Sequence, residues 1–550
     1  MDISGIAMED RNLVRVMETA LRARPSQTAI RDPDRALSYA ELWDEGLRIA
    51  GGLGRLGLGR QQPILLMLDN HVDNGLLWMG IGLSARIEVS VNTAYRGQML
   101  AYIIADSQAT VAVVEEQYLG RLVEIAADIP ALRAVIVRRG ADTDDDSRRR
   151  AAQLWAISDF AELSAAPPAS PEHVAPWELF SFSYTSGTTG RSKGVLCPHA
   201  HAFGQATSDG LGTTLPGEVR FVVLPQFHAA GRWGGIYNAL IHQGTAHVAH
   251  GFSASRYWDQ ARAAGARTSQ LVGTMAEFLH LQPKRASDRE HGLREICILP
   301  LPRFFAAWRE RFGVRLLTAY GSTESGAIIF NADARSTSVG RPRDGYDIRI
   351  FDPNDIELPP GEVGEAVVRP SQPWTTSIGY LGRDEETAAL WRNGWLHTGD
   401  ALYRDEEGNF FFVDRLDDAI RRRGENISSV EVELHVCAHP AVAECAAVAV
   451  PSEFAEDEIK IAVTLRPGQS LSEPALLDFL DGTMPGFMVP RYVRLLAELP
   501  KTATSKVRKT EIRKAGVIGC WDRATGAFVT APSDGDQGAP VAPHHGKEPV

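Results

Sequence analysis

The chain has 550 residues, 44% hydrophobic and 23% charged, the balance of an ordinary globular protein. At ~100–200 residues per domain this implies more than one domain, each able to bury a core without a disulfide or metal staple. With 57 Lys+Arg against 69 Asp+Glu the formal charge is −12, mild for this length, which argues against a general nucleic-acid binder. The five cysteines are widely spaced with no CxxC pair, so neither a disulfide framework nor a zinc site is expected, and a reducing, cytoplasmic setting fits. Residues 1–10 lack the basic start and apolar core of a signal peptide. The most apolar stretch, 75–85, is far short of the ~20 residues that cross a membrane.

In chain order, Ser38-Tyr39-Ala40-Glu41-Leu42 reads as a capped helix start, continued by Leu47, Ala50, Leu53 and Leu56 at helical spacing. The apolar runs 63–68, 109–114 and 134–137 read as buried strands. Strands separated by helices imply crossover connections and mostly parallel sheets, an α/β fold. Residues 138–176 carry an acidic run, a basic run and a Pro/Ala/Ser stretch, and read as a solvated surface excursion. Strand-like runs resume at 179–184, 221–224, 246–249 and 294–299. From about Asp347, short alternating runs separated by Gly/Pro turns predict a smaller antiparallel region. From Val430 a helix, two strands (444–450 and 459–465) and a helix predict a compact C-terminal domain. The tail from 531 is too poor in large apolar residues to offset its ordering entropy and is expected to be disordered.

The most informative segment is Tyr184-Thr185-Ser186-Gly187-Thr188-Thr189-Gly190-Arg191-Ser192-Lys193-Gly194-Val195, directly after an apolar strand. Small residues let the backbone approach an anion, hydroxyls and N–H groups can hold phosphate oxygens, and Lys193 adds a point charge. The spacing is not that of a Walker A loop. This segment resembles the phosphate loop of the adenylate-forming superfamily of acyl-CoA synthetases, luciferases and peptide-synthetase adenylation domains. Four further motifs match in family order: Tyr320-Gly321-Ser322-Thr323-Glu324, Trp395-Leu396-His397-Thr398-Gly399-Asp400, Asp414-Arg415-Leu416-Asp417, and Pro500-Lys501-Thr502-Ala503-Thr504-Ser505-Lys506. The residues around 91–97 and 421–431 are most similar to the crotonobetaine/carnitine-CoA ligase group.

The resemblance implies a large multi-sheet N-terminal domain of the adenylate-forming type, residues 1–416. It implies a small α+β domain, 417–530, on a hinge at Asp417. It further implies that Thr185, Ser186, Gly187, Thr188, Thr189, Gly190 and Lys193 hold ATP phosphates. Tyr320, Gly321, Ser322 and Thr323 would hold adenine and the α-phosphate, Glu324 Mg²⁺, and Asp400 and Arg415 ribose. Lys506 would bridge acid and phosphate in the first step and withdraw in the second. Arg423, Gly424 and Glu425 would then line a coenzyme A channel. His228 would lie near the acyl carboxylate, with Trp233, Gly273, Thr274 and Met275 walling a mixed aromatic and apolar acyl pocket. The implied chemistry is activation of a small or aryl acid to its adenylate, then thioester formation with coenzyme A, by a monomer or homodimer.

His228 stands where peptide-synthetase domains usually carry Asp, which removes the partner for an α-amino group. The family's Gly/Ala-rich pocket segment is replaced by Ile298-Leu299-Pro300-Leu301-Pro302, and Arg86, Ser90, Ser192 and Ser505 stand at positions usually Gly, Pro, Pro and Gly. Some relatives adenylate other oxyanions, such as nitrite for diazotisation of an aryl amine. A non-catalytic nucleotide-binding relative would have lost Lys506 or Glu324, and both are present.

Overall fold

The computed structural model describes residues 6–530 except 141–144, 186–191, 208–210, 303, 417–419, 423–424, 428, 453–456, 482, 485, 487 and 503–505. The chain divides into two compact units, Met1–Phe412 and Val413–Val550. The division falls inside the strand Phe410–Arg415, just before the hinge motif.

The first unit is built on three sheets. In the seven-stranded sheet the order is Ala156–Asp159, Ala134–Arg138, Val111–Glu115, Pro63–Met67, Ile87–Ser90, Leu179–Thr185 and Lys193–Pro198. The neighbouring pairs are parallel up to Leu179–Thr185, and the last strand closes an antiparallel hairpin. Parallel strands buried on both faces need continuous apolar runs, and Ile64, Leu65, Leu66 and Met67 are all buried. The hairpin register sets Thr185 opposite Lys193, so the glycine-rich segment is the connection between two paired strands. A nine-stranded sheet is mostly parallel, with Glu295–Leu299 between Ala266–Val272 and Arg315–Ser322. The third sheet orders Tyr346–Phe351, Gly364–Pro370, Leu396–Arg404 and Phe410–Arg415, the antiparallel texture expected beyond Asp347.

The helix Tyr39–Arg55 starts where its sequence predicts: the Ser38 side chain accepts from the Glu41 N–H, and the Glu41 carboxylate accepts from the Ser38 N–H. The reading of 138–176 as a solvated excursion is corrected. A helix, Asp145–Leu154, a sheet strand, Ala156–Asp159, and a short helix, Phe160–Ser164, lie within it. Trp155, Phe160 and Leu163 are buried and anchor the segment, while Arg139 and Arg148 pair with Asp159 at 2.9 and 2.5 Å.

The second unit holds a sheet of Val442–Pro451, Asp457–Leu465, Tyr492–Leu495, Trp521–Asp522 and Ala527–Phe528. Helices Ser429–Cys437, Glu473–Asp481 and Lys509–Lys514 accompany it. The tail 531–550 lies outside the described residues.

Candidate active site

Residues 186–191, which include Ser186 to Gly190 of the phosphate loop, lie outside the described residues, but both ends of the loop are fixed. The Tyr184 hydroxyl donates to Asp106 Oδ2 at 2.7 Å, and the Tyr102 hydroxyl donates to the Ser192 carbonyl at 3.0 Å. Burial and the Asp106 charge push the Tyr184 hydroxyl well above its ordinary range, so it stays a donor. Tyr102 and Asp106 sit one helical turn apart on the helix Gly97–Ser107, and Arg383 donates to Tyr102 at 2.8 Å. One helix thus grips the residues at both ends of this loop.

The second motif turns tightly. A Cβ on Gly321 would lie 1.8 Å from the Gly326 carbonyl oxygen, so only glycine lets Arg315–Ser322 close against Gly326–Asn331. This turn presents Tyr320, Thr323 and Glu324. The Tyr320 hydroxyl donates to Asp400 Oδ2 at 2.8 Å, which joins the second and third motifs. Both side chains are buried, and Phe412 packs its ring 6.2 Å from that of Tyr320. Glu324 Oε1 accepts from the Tyr380 hydroxyl at 2.9 Å, and Lys193 Nζ lies 5.0 Å from the centre of the Tyr380 ring. Burial and the Glu324 charge raise the Tyr380 hydroxyl far above its ordinary range. No donor among the described residues reaches Glu324 Oε2, which suits a hard cation such as Mg²⁺. The backbone here is also held: Ser377 N–H donates to the Glu324 carbonyl at 2.8 Å, and the His201 ring lies between the Thr323 and Thr375 carbonyls at 2.9 and 3.2 Å. Burial lowers the His201 pKa, and the two carbonyls oppose that shift.

His228 caps the short helix Ala229–Gly231, its Nδ1 accepting from the Ala230 N–H at 3.3 Å. The chain continues directly into a π-helical turn, Arg232–Tyr237, a geometry frequent at functional sites. Gly231 permits it, since a Cβ there would lie 2.2 Å from the Pro225 carbonyl oxygen. His228 and Trp233 line one crevice with Glu88, Ser90, Ser181, Ser183, Phe227 and Arg232. Polar groups share this crevice with the rings of Phe182, Phe227 and Trp233. Arg232 Nη2 lies 2.9 Å from Glu88 Oε1, both side chains being almost wholly buried, and Ser90 donates to the same oxygen. Arg232 also donates to Gln226 Oε1 at 3.1 Å and Asn74 Oδ1 at 2.8 Å. The Trp233 indole N–H is buried and meets no acceptor among the described residues.

Gly273, Thr274 and Met275 do not line this crevice. They open the helix Gly273–Leu281, and a Cβ on Gly273 would lie 2.9 Å from the Pro300 carbonyl oxygen. The Ile298–Pro302 segment therefore packs against Gly273. Arg86 is structural: it is buried and donates to the Leu58 carbonyl at 2.6 Å, closing the end of the preceding helix and turn.

In the second unit, Lys506 is exposed at the base of a loop pinned by Thr502 N–H to Lys506 carbonyl, 2.7 Å, and Lys506 N–H to Thr502 Oγ1, 3.1 Å. Asp417, Arg423 and Gly424 lie outside the described residues, and Arg415 and Glu425 are described only as strand backbone. Sequence reasoning missed Tyr380, His201, Asp106, Glu88 and Arg232. For Arg232 a signal existed: it is a lone charge in a mostly uncharged run.

Residues 17–381 match the AMP-binding enzyme family. The chain belongs to it. Residues 431–506 match the C-terminal domain of AMP-binding enzymes. The chain is 32% identical over 492 residues to the crotonobetaine/carnitine–CoA ligase of Salmonella choleraesuis (strain SC-B67), covering 87% of this chain and 93% of that protein. The crystal structure of the anthranilate CoA ligase AuaEII with anthranoyl-AMP is similar at a TM-score of 0.81 and 25% identity, covering 94% of this chain and 99% of that one. ATP-bound MatB from Rhodopseudomonas palustris shares the fold at a TM-score of 0.78 and 23% identity, covering 91% and 98%. Among the described residues of this AMP-binding enzyme, no helix is long and apolar enough to cross a membrane.

Proposed function

We propose that this AMP-binding enzyme is an AMP-forming ligase that activates a small or aryl carboxylic acid with ATP and passes the acyl group to coenzyme A. The observation that carries the reading is the Tyr320–Asp400 hydrogen bond beside the Glu324–Tyr380–Lys193 cluster, which joins three separate sequence motifs in one unit. A carboxylate is a poor electrophile because its leaving group would be oxide. Attack of its oxygen on the α-phosphorus of ATP releases pyrophosphate and leaves the acyl group on AMP, a good leaving group. The dense charge of that transition state needs fixed cations and donors. Lys193, Thr188, Thr323 and Lys506 are assigned to that role, Tyr320 and Asp400 to the nucleoside, and His228 to the acid carboxylate. Glu324 is the residue that would hold Mg²⁺, which supplies charge neutralisation among the phosphate oxygens. In the second step the coenzyme A thiolate attacks the acyl carbon and AMP departs, with Lys506 withdrawn about the Asp417 hinge and Arg423, Gly424 and Glu425 lining the thiol's approach. We place the enzyme in the cytoplasm, as a monomer or homodimer.

The test is AMP release with ATP and a panel of carboxylic acids, with and without coenzyme A, and separately with nitrite and an amino-aryl acid. Release dependent on acid and coenzyme A supports the ligase. Release that requires nitrite would overturn it.

A further inference from the structure

We propose that Glu88 and Arg232 form the specificity-determining floor of the acid pocket, selecting a small carboxylic acid with one compact neutral hydrogen-bond donor, a hydroxyl or amino group, over its methyl counterpart. This rests on the acid-activation reading above.

The crevice that holds Glu88 and Arg232 also holds His228, the residue assigned to the acid carboxylate, and Ser183, on the strand that leads into the phosphate loop. It has room for about one water-sized group. Such a space takes a single substituent of a substrate rather than a chain. Its chemistry is set by Glu88. Oε1 is occupied by Arg232 and Ser90, and no donor among the described residues reaches Oε2. Arg232 is spent on the protein: Nε faces Glu88, Nη1 reaches Gln226 Oε1 and Nη2 reaches Asn74 Oδ1. It cannot turn to a ligand, so its effect is to hold the Glu88 carboxylate in place through Oε1, with Oε2 left as an acceptor.

A hydroxyl or amino hydrogen satisfies that oxygen. A methyl group of the same size desolvates it without replacing its hydrogen bond, which is how a polar site rejects an apolar analogue. An ammonium is disfavoured, because the guanidinium already neutralises the carboxylate. Arg232 and Trp233 open the π-helical turn that follows the short helix capped by His228.

The experiment measures acid-dependent ATP–pyrophosphate exchange with matched acids: lactate against isobutyrate, and 4-hydroxy- and 4-aminobenzoate against 4-methylbenzoate. The enzymes are wild type, Glu88→Gln and the double variant E88M/R232M. Wild type should prefer the donor-bearing member of at least one set by about tenfold or more in kcat/KM. The double variant should lose or invert that preference. Glu88→Gln, which keeps shape and volume, should lower the preference even if the double variant fails to fold. Equal use of both members by wild type, or an unchanged preference in Glu88→Gln, overturns the proposal. Absence of exchange with every acid on wild type is a different result, which overturns the acid-activation reading and this proposal with it.

Discussion

Replacing Arg232 by methionine leaves the Glu88 carboxylate buried with no cation beside it. The two side chains are 2% and 3% exposed and lie 2.9 Å apart, so the pair is deeply buried. Removing one partner of such a pair costs about 3–5 kcal/mol, most of it the penalty of the charge left behind. For a unit spanning Met1–Phe412, an unfolding entropy of ~2.1 cal/mol/K per residue sums to about 0.9 kcal/mol/K. Arg232→Met should therefore lower the midpoint of this unit by about 3–6 °C. Adding Glu88→Met removes the stranded charge, so E88M/R232M should recover at least half of the loss despite leaving the Gln226 and Asn74 oxygens without Arg232. Differential scanning calorimetry of wild type, both single variants and the double variant closes the cycle. A double variant as unstable as Arg232→Met, or an Arg232→Met midpoint equal to wild type, would refute the view of this pair as a mutually dependent buried unit.

Asp400→Ala removes the acceptor of Tyr320 and the carboxylate assigned to ribose; at about 1.5–3 kcal/mol for a charged hydrogen bond, KM for ATP should rise about 10- to 150-fold in steady-state assays. Lys506→Ala should abolish pyrophosphate exchange yet leave thioester formation from supplied acyl-adenylate largely intact, and equal loss of both half-reactions would contradict the two-step use of this lysine. Burial pushes His199 down to about 3 and His242 to about 4, below an ordinary ~6.5. Above that ordinary value neither state is protonated; below it the unfolded chain binds protons that the folded chain refuses. The pair should therefore cost about 4 kcal/mol at pH 5 relative to pH 8, read as a falling midpoint in thermal scans between those values.

The site was legible where its chemistry needs particular residue types close together in sequence. Tyr320 and Glu324 flank one turn, and Asp400 stands beside a glycine at φ +70°. What lies in partnership across the chain was not legible. Glu88 and Arg232 are 144 residues apart, and only the parallel pairing of Ile87–Ser90 with its neighbours brings the carboxylate under the π-helical turn. Tyr380 and His201 read as ordinary residues until the fold sets them against Glu324 and Thr323. The stretch 138–176 misled through its charge runs, because Trp155, Phe160 and Leu163 are too few to form a periodic pattern yet enough to anchor a strand and two helices. Strand runs such as Pro63–Met67 were plain because a parallel strand covered on both faces cannot carry a polar residue cheaply.

The central claim, acid activation by adenylation, is tested most directly by incorporation of labelled pyrophosphate into ATP in the absence of coenzyme A. Incorporation that requires both Mg²⁺ and a carboxylic acid, followed on adding coenzyme A by release of AMP in step with thioester, is the predicted result. Incorporation with no carboxylic acid of the panel, or with nitrite alone, would contradict it.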